Sequence, residues 1–447
     1  MCPSFHLIHK KKDGVNNNSN NPKKKNNIKS IKLFIIHYLL FNMDANLCRK
    51  CKGVKNLCGA KYCPIKSKLQ SLKSIKPRKS FKGKSDNVFI GEANYPNINV
   101  GVLSMPYYSN IALSSSPLDW KNNKINDVID YKVNTINSHS KKKTRVLNSR
   151  KTIEFQEIAM TKSEVDLDIE LKRRPKKDFM IDSTIFPHGF SESIKKVDIN
   201  DNPKIPRKVE NIFSDTDFKA TDALNELYEH NYDEYYLTKI LSAGTLGRKT
   251  DRKFVPTKWS ITAVDDTLGK NLIKKVKKYE ILEEPKVLFD GLHGNYIYTI
   301  LLPNKFSFEF FEIHLPNSVW NKSEDTIIAS DYESYFGRKK YADNTTGGYY
   351  AARYPLLEYL DKNEIQATAL VLRIVNNEYW APLGVWVVRE AVKKAMESNS
   401  INFDSTTLVK KFLKKYILKK FNYDCSNILK DSIVMNISEK QTKLSSF

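Results

Sequence analysis

At 447 residues the chain is longer than one hydrophobic core usually organises, and 40% apolar with 11% aromatic residues suffices for two or three. A formal net charge of +24 sets aside the acidic, solvating class of proteins and points to polyanionic partners: DNA, RNA or an anionic membrane surface. The plainer reading of that charge is a solvated, lysine-rich exterior, and the heavy Asn and Lys usage fits it.

In chain order, residues 1–42 stand apart. They carry two KKK runs, NNNSNN, and an apolar run from Ile31 to Phe41 broken by Lys32 and His37. That run is too short to span a bilayer, and no small-residue cleavage site follows it. The segment reads as a disordered extension, or as upstream sequence translated from a mis-set start, with Met43 opening the protein proper. No membrane role follows from it.

Residues 43–66 hold four of the six cysteines, Cys48, Cys51, Cys58 and Cys63, spaced C-x2-C-x6-C-x4-C and followed by Pro64. Four thiolates converging on one point make a tetrahedral zinc site, with a C-x-x-C knuckle supplying the first pair. Gly53 and Gly59 give the loops the backbone freedom to close around it. The charged residues between the cysteines are all basic: Arg49, Lys50, Lys52, Lys55 and Lys61. Those side chains can face a phosphate backbone. Iron–sulfur ligation is the competing reading, although the spacing differs from the common ferredoxin run. Disulfides would need an oxidising compartment, for which there is no export signal.

Residues 67–87 read as a basic linker. Beyond it the pattern mixes strands and helices. VFIGEANYPNINVGVLSMP predicts two strands around a turn at Tyr95-Pro96-Asn97, and SPLDW a turn into a polar helix. VDLDIEL alternates with period two, as a half-buried strand does. Residues 217–230 place Phe218, Ala223, Leu224, Leu227 and Tyr228 on one helical face. NYIYTILLP and FSFEFFEIHL predict two adjacent antiparallel strands. GGYYAARYPLLEYLDK predicts a helix kinked at Pro355; ATALVLRIV and YWAPLGVWVV read as strands, and REAVKKAMES as a helix. Residues 405–421 read as a basic amphipathic helix with Leu408, Phe412, Tyr416 and Ile417 inside. The expected class is α+β, with mixed sheets and packed helices in an N-terminal body over 88–315 and a C-terminal body over 316–433, plus the small zinc module.

No Walker, Rossmann, zincin or nucleophile-elbow motif is present, and the eight histidines are scattered. Two constellations remain. In the first, Gly244, Gly247, Arg248 and Lys249 lead through Arg252 and Lys253 to Lys258, Trp259 and the pair Asp265-Asp266. Glycines let a backbone approach an anion, basic side chains grip it, and adjacent carboxylates can hold a divalent ion or act as acid and base. An ordinary basic loop with a capping aspartate explains the same residues. In the second, Arg338 and Tyr341 precede Gly347 and Gly348, then Tyr349, Tyr350 and Arg353. A helix opening on two glycines offers a phosphate seat, and the tyrosines a stacking surface. Close helix packing and core tyrosines are the structural alternative.

Residues 434–447 end in Gln441, Leu444 and Phe447, spaced Q-x-x-L-x-x-F, the core of the sliding-clamp peptide (PIP motif). In that mode the glutamine enters a polar pocket while a 3₁₀ turn seats the two apolar side chains. The second aromatic of the usual box is absent.

Together the segments CRKCKGVKNLCGAKYCP, VFIGEANYPNINVG, LSAGTLGRK, VPTKWSITAVDD, GRKKYA, GGYYAAR and YWAPLGVWVVRE, with the terminal motif, resemble the archaeal Nre family of DNA repair proteins from Met43 to Phe447. The resemblance implies DNA damage repair, a zinc-finger-like module, recruitment by the sliding clamp PCNA and a cytoplasmic, nucleoid-associated location. It implies no particular reaction. Two alternatives stay open: an enzyme acting on nucleotides or nucleic acid through Gly244–Asp266 and Gly337–Arg353, and a non-catalytic repair scaffold.

Overall fold

Regular structure begins inside the lysine-rich stretch expected to be linker. The computed structural model describes residues 75–440, apart from 110, 112, 114, 177–187, 317, 319 and 322. Strand β1 (Ser80–Ile90) starts in SFKGKSDN, where Phe81, Gly83 and Ser85 are buried while Lys82 is exposed. The period-two signal is there, but lysine, glycine and serine hide it from a hydrophobicity reading. Strand β2 (Asn97–Pro106) returns antiparallel after a turn that includes a cis Tyr95–Pro96 bond. A 3₁₀ turn (Tyr107–Ser109) and helices α1 (Pro117–Trp120) and α2 (Ile125–Asn134) separate it from β3 (Ile136–Lys143). Helix α3 (Arg150–Met160) then precedes β4 (Val165–Leu171) and β5 (Phe190–Ile199).

These five strands close into a barrel in the order β1-β2-β3-β5-β4. β3 and β5 run parallel and every other neighbouring pair antiparallel. That order, with a helix between the third and fourth strands, is the topology of the OB barrel. Its interior is Phe81, Ile90, Val100, Val102, Ile136, Leu167, Ile169 and Phe190, with Phe155 and Ile158 added by α3. VDLDIEL forms β4 with every second residue buried, as its alternation predicts.

Helices α4 (Arg207–Ser214), α5 (Ala220–Glu229), α6 (Glu234–Ser242) and α7 (Thr257–Val276) lead into the second half. There follow β6 (Glu280–Ile281), β7 (Lys286–Leu292), β8 (Asn295–Leu302), β9 (Ser307–His314), β10 (Ile327–Glu333), α8 (Gly347–Lys362), β11 (Ile365–Gln366), β12 (Thr368–Val375), α9 (Trp386–Met396), β13 (Ile401–Asn402), α10 (Thr406–Phe421), α11 (Ser426–Asp431) and α12 (Ile433–Lys440). A six-stranded sheet runs β10-β9-β12-β8-β7-β13, and β6 pairs with β11. One face of the sheet, through Leu301, Phe308 and Val371, joins the cluster formed by α7, α8 and α9. The other, through Tyr298, Ile300, Leu370 and Leu372, meets Val409, Leu413 and Ile417 of α10 and Val434 of α12. Both faces are therefore covered, which is why β12 is buried at every position. Each fully buried aliphatic side chain there stabilises by roughly 1.5–3 kcal/mol. Mixed sheets with packed helices are the expected α+β character; the zinc module lies outside the described residues.

Three local expectations are corrected. β8 and β9 are not neighbours: β12 lies between them, antiparallel to β8 and parallel to β9. Their short connection crosses the start of β12, where Thr368 donates to the Lys305 carbonyl and Gln366 accepts from the Phe306 amide. YWAPLGVWVV is not a strand. Pro382 and Gly384 (φ +93°) keep it irregular until helix α9 begins at Trp386. On α10 the buried residues are Val409, Leu413 and Ile417, with Leu408 exposed. The sheet also draws strands from both sides of residue 315, so the body is continuous across that position.

Candidate functional site

The barrel and the helices of the body meet around a cavity of about 90 Å³. Its walls come from distant segments: Val88 and Phe89 of β1, Leu103 of β2, Pro117 of α1, Tyr235 and Lys239 of α6, Thr257 and Ile261 of α7, and Trp386 and Arg389 of α9. A second cavity of about 170 Å³ shares Asn87, Pro117, Tyr235 and Lys239 with the first and adds Asp86, Ser115 and Lys162. Three of the unusual segments in the sequence, VFIGEANYPNINVG, VPTKWSITAVDD and YWAPLGVWVVRE, contribute to this seam.

Charge at the seam is paired. Lys239 Nζ lies 2.8 Å from Asp86 Oδ2 and donates to the Thr161 carbonyl at 3.0 Å. Burial pushes the Asp86 carboxyl up, but the Lys239 charge and hydrogen bond, with a bond from Ser115, outweigh it and leave the group below its ordinary value. Arg389 donates to both oxygens of Asp265 at 2.7 Å and stands 3.7 Å from Glu234, which also takes Lys393 at 2.8 Å. Beneath the seam, Lys132 is fully enclosed: its Nζ donates to the Leu383 carbonyl at 2.7 Å and lies over the Trp120 and Trp386 rings. Burial holds this ammonium well below the usual lysine range.

The first sequence constellation is spread over several tasks. Gly244 (φ +71°) has the Lys253 carbonyl 2.6 Å from where a Cβ would sit, so the tight loop needs glycine. Gly247 also has positive φ. Arg248 pairs with Asp251 at 2.7 Å, and the Lys249 amide donates to Thr216. Arg252 spends its guanidinium on the carbonyls of Phe213, Asp215 and Gly247 around the end of α4. Lys258 lies 3.3 Å from Glu92. Asp265 and Asp266 face different partners, Asp265 meeting Arg389 and Asp266 meeting Lys270 (2.6 Å) and Arg353 (2.7 Å).

That last contact joins the two constellations. Arg353, in α8, bridges Asp266 and Glu333, the latter at 2.8 Å. Gly347 and Gly348 do open α8, and a Cβ on Gly348 would meet Glu312 Oε1 at 2.7 Å. A carboxylate therefore stands against this end of the helix. Arg338 donates to Asp331 (3.0 Å) and to the carbonyls of Tyr332, Lys340 and Tyr341. Tyr349 is buried beneath the guanidiniums of Arg338 and Arg353. Cys48, Cys51, Cys58 and Cys63, and Gln441, Leu444 and Phe447, lie outside the described residues. Among the described residues, no group of three or more His, Cys, Asp or Glu side chains is placed to hold a metal ion.

Lys132, Glu234, Lys239 and Arg389 escaped the sequence reading. A signal existed for Lys132, which sits among Val128, Ile129 and Val133 on the buried face of α2. A lysine at such a position is buried by its neighbours whatever its charge requires.

The barrel carries a second distinct surface. At its β1–β2 turn, Tyr95 and Trp259 are 43% and 44% exposed and in ring contact at 5.1 Å. Glu92 holds the pair in place, accepting from Trp259 Nε1 at 3.2 Å. Next to it, Asn97 and Asn99 of β2 stand in register with Lys143 and Lys141 of β3.

A family sequence model described as Archaeal Nre, N-terminal, matches residues 57–321, and one described as Archaeal Nre, C-terminal, matches 333–447. The chain is 37% identical to the DNA repair protein NreA of Archaeoglobus fulgidus over 362 residues, 80% of this chain and 90% of that one. It is 31% identical to the DNA repair protein NreB of the same organism, covering 83% of this chain and 93% of that one. It is 35% identical to the DNA repair protein NreA of Haloferax volcanii over 70% of this chain and 77% of that one. No solved structure matches. With both halves matched and relatives aligned over most of their length, the chain belongs to the archaeal Nre family.

Proposed function

We propose that this chain is a DNA repair factor that binds DNA through its basic surface and is brought to its substrate by the sliding clamp PCNA. The observation that carries the reading is the barrel: its strand order is that of oligonucleotide-binding proteins, and it sits in a chain of +24 formal charge. Three relatives bear the name DNA repair protein, which supports it. In this reading Cys48, Cys51, Cys58 and Cys63 hold one zinc ion as thiolates, making a small module whose lysines face phosphates. Gln441, Leu444 and Phe447 engage the clamp, and the protein works at the nucleoid. Among the described residues no helix is long and apolar enough to cross a membrane.

DNA binding tests the reading. Affinity should fall steeply as salt rises from about 50 to 200 mM, by on the order of a thousandfold if six or more phosphates are contacted. Affinity that ignores salt, or no binding at all, sinks it. For the clamp, calorimetric titration should show binding by the full chain and none by a chain ending at Ser446.

A second reading, an enzyme acting on nucleotides or nucleic acid, is favoured by the Asp266–Arg353 contact, which joins the two constellations expected to form such a site. Asp266→Asn would then abolish a turnover that the unmodified chain performs. Millimolar nucleotide that leaves the melting temperature unmoved would count against this reading.

A further inference from the structure

We infer that the β2–β3 face of the barrel is a binding site for single-stranded DNA, with Tyr95 and Trp259 as the stacking platform and Lys141 and Lys143 as the phosphate contacts. The inference rests on the DNA-binding reading above and gives it a strand type and a surface. Four observations converge.

First, the topology. In a barrel ordered β1-β2-β3-β5-β4, the face of the second and third strands and the β1–β2 loop form the groove in which oligonucleotides lie. Second, the outward row of this face carries no carboxylate, whereas that of β4 is Asp166, Asp168 and Glu170. The inner residues Ile98, Val100 and Val102 fill the core, whereas the alternate positions Asn97 and Asn99 point outward beside Lys143 and Lys141. Lys141 and Lys143 are exposed, and residues two apart on one strand stand about 7 Å from each other. That spacing is comparable to the repeat of an extended nucleotide chain.

Third, the aromatic pair. Two large rings in mutual contact, each more than two-fifths exposed, form an apolar patch beside the β1–β2 turn that a flat ligand can cover. Bases do so without regard to sequence, because every base has a flat π-face. Fourth, the platform is held rigidly. Trp259 is on the first turn of α7, which Thr257 ties to β1 through the Ile90 amide at 3.0 Å. Ile261, one turn on, packs on Phe89 and Leu103 of the barrel wall. A pre-positioned ring loses little freedom on binding. Duplex DNA cannot use this platform, since its bases are already stacked; an unpaired strand can.

The test uses the full 447-residue chain and fluorescence anisotropy with labelled oligothymidylate, the matching duplex and oligouridylate. The single DNA strand should bind tightest. Trp259→Ala should weaken it roughly 5- to 100-fold, and Trp259→Phe should restore most of the loss. Lys141→Gln with Lys143→Gln should lower the salt slope by about one for each lysine, independent of base sequence. Photocrosslinking with bromouracil-substituted strands should mark Tyr95 or Trp259. Single-strand affinity unchanged in these variants, or crosslinks confined to residues outside the barrel, overturns the inference while leaving DNA binding intact. Preference for duplex or for the RNA strand also overturns it, and absence of all DNA binding overturns the broader reading with it.

Discussion

In the barrel, Lys82, Lys141, Lys143, Lys195 and Lys196 stand on the outside of strands whose inner residues include Phe81, Val100 and Ile169. The pairs that Lys82, Lys195 and Lys196 make with Asp168, Glu170 and Asp198 lie at the surface. In the three-layer body, Arg353, Arg373 and Arg389 are only 2–3% exposed, and each lies against carboxylates: Glu333 and Asp266, Glu312, and Asp265 with Glu234. The same charge type thus serves two purposes. A surface lysine in high dielectric adds almost nothing to stability and keeps its capacity to bind an anion. A buried arginine has exchanged that capacity for a fixed partner, whose removal leaves an uncompensated charge in the interior. A high count of basic residues is therefore a poor guide to binding until one knows which are already engaged.

The sharpest way to break this contrast is Arg389→Met. It strands Asp265 and deprives Glu234 of one of its two cations, and should cost about 3–5 kcal/mol in urea unfolding. A cost under about 1 kcal/mol would mean the body's ion pairs are as dispensable as surface ones.

Acid comes next. His188, buried beside Asn137 and Phe89, is pushed down by burial to about 4, well under its ordinary value. Between about 6.5 and 4 the unfolded chain binds the extra proton, so this contribution is complete above that window and lost as pH falls through it. The loss should be on the order of 3 kcal/mol. His188→Gln should flatten the pH dependence of stability across that window relative to the unmodified chain. Identical profiles would show that the imidazole binds its proton equally well in the folded and unfolded chain.

A smaller effect is expected at Gly348, where a Cβ would meet Glu312. Gly348→Ala should cost about 1–3 kcal/mol through overpacking, read as a lower denaturant midpoint with an unchanged slope. Least of all, Lys141→Gln with Lys143→Gln should leave stability within about 0.5 kcal/mol. A large change in melting temperature would show that these lysines belong to the fold instead of to a ligand.

The legible parts of the fold were those written locally. VDLDIEL declares a half-buried strand residue by residue, and the apolar face of residues 217–230 buries Ala223, Leu224 and Leu227 in α5 as its spacing predicts. The barrel was not legible. Its strands are spread from Ser80 to Ile199 with α1 and α2 inserted between β2 and β3, and closure depends on β1 pairing with β4, some eighty residues away. The predicted β8–β9 hairpin failed because nothing in NYIYTILLP or FSFEFFEIHL announces that β12 will come between them. Likewise, a short apolar run such as VWVV cannot be told from a buried helix start by periodicity alone. At the candidate site, Asp266 and Arg353 were each visible as charged residues of interest, but their contact was not, since 87 positions separate them. Trp259 stood out only beside the basic loop and Tyr95 only as a turn residue; that the two rings are exposed and in contact comes from the fold.

The central place of β12 has a consequence for synthesis. A ribosome that has released residues up to His314 has made both banks of a gap, β8 and β9, with nothing yet to lie between them. The strand that fills it arrives only after β10 and the sixteen residues of α8. Until then two aromatic-rich strands present unpaired edges, the condition under which nascent chains associate wrongly. The nascent body should therefore depend on chaperones most while the segment from residue 315 to residue 375 is emerging, and be largely free of them once β12 has docked.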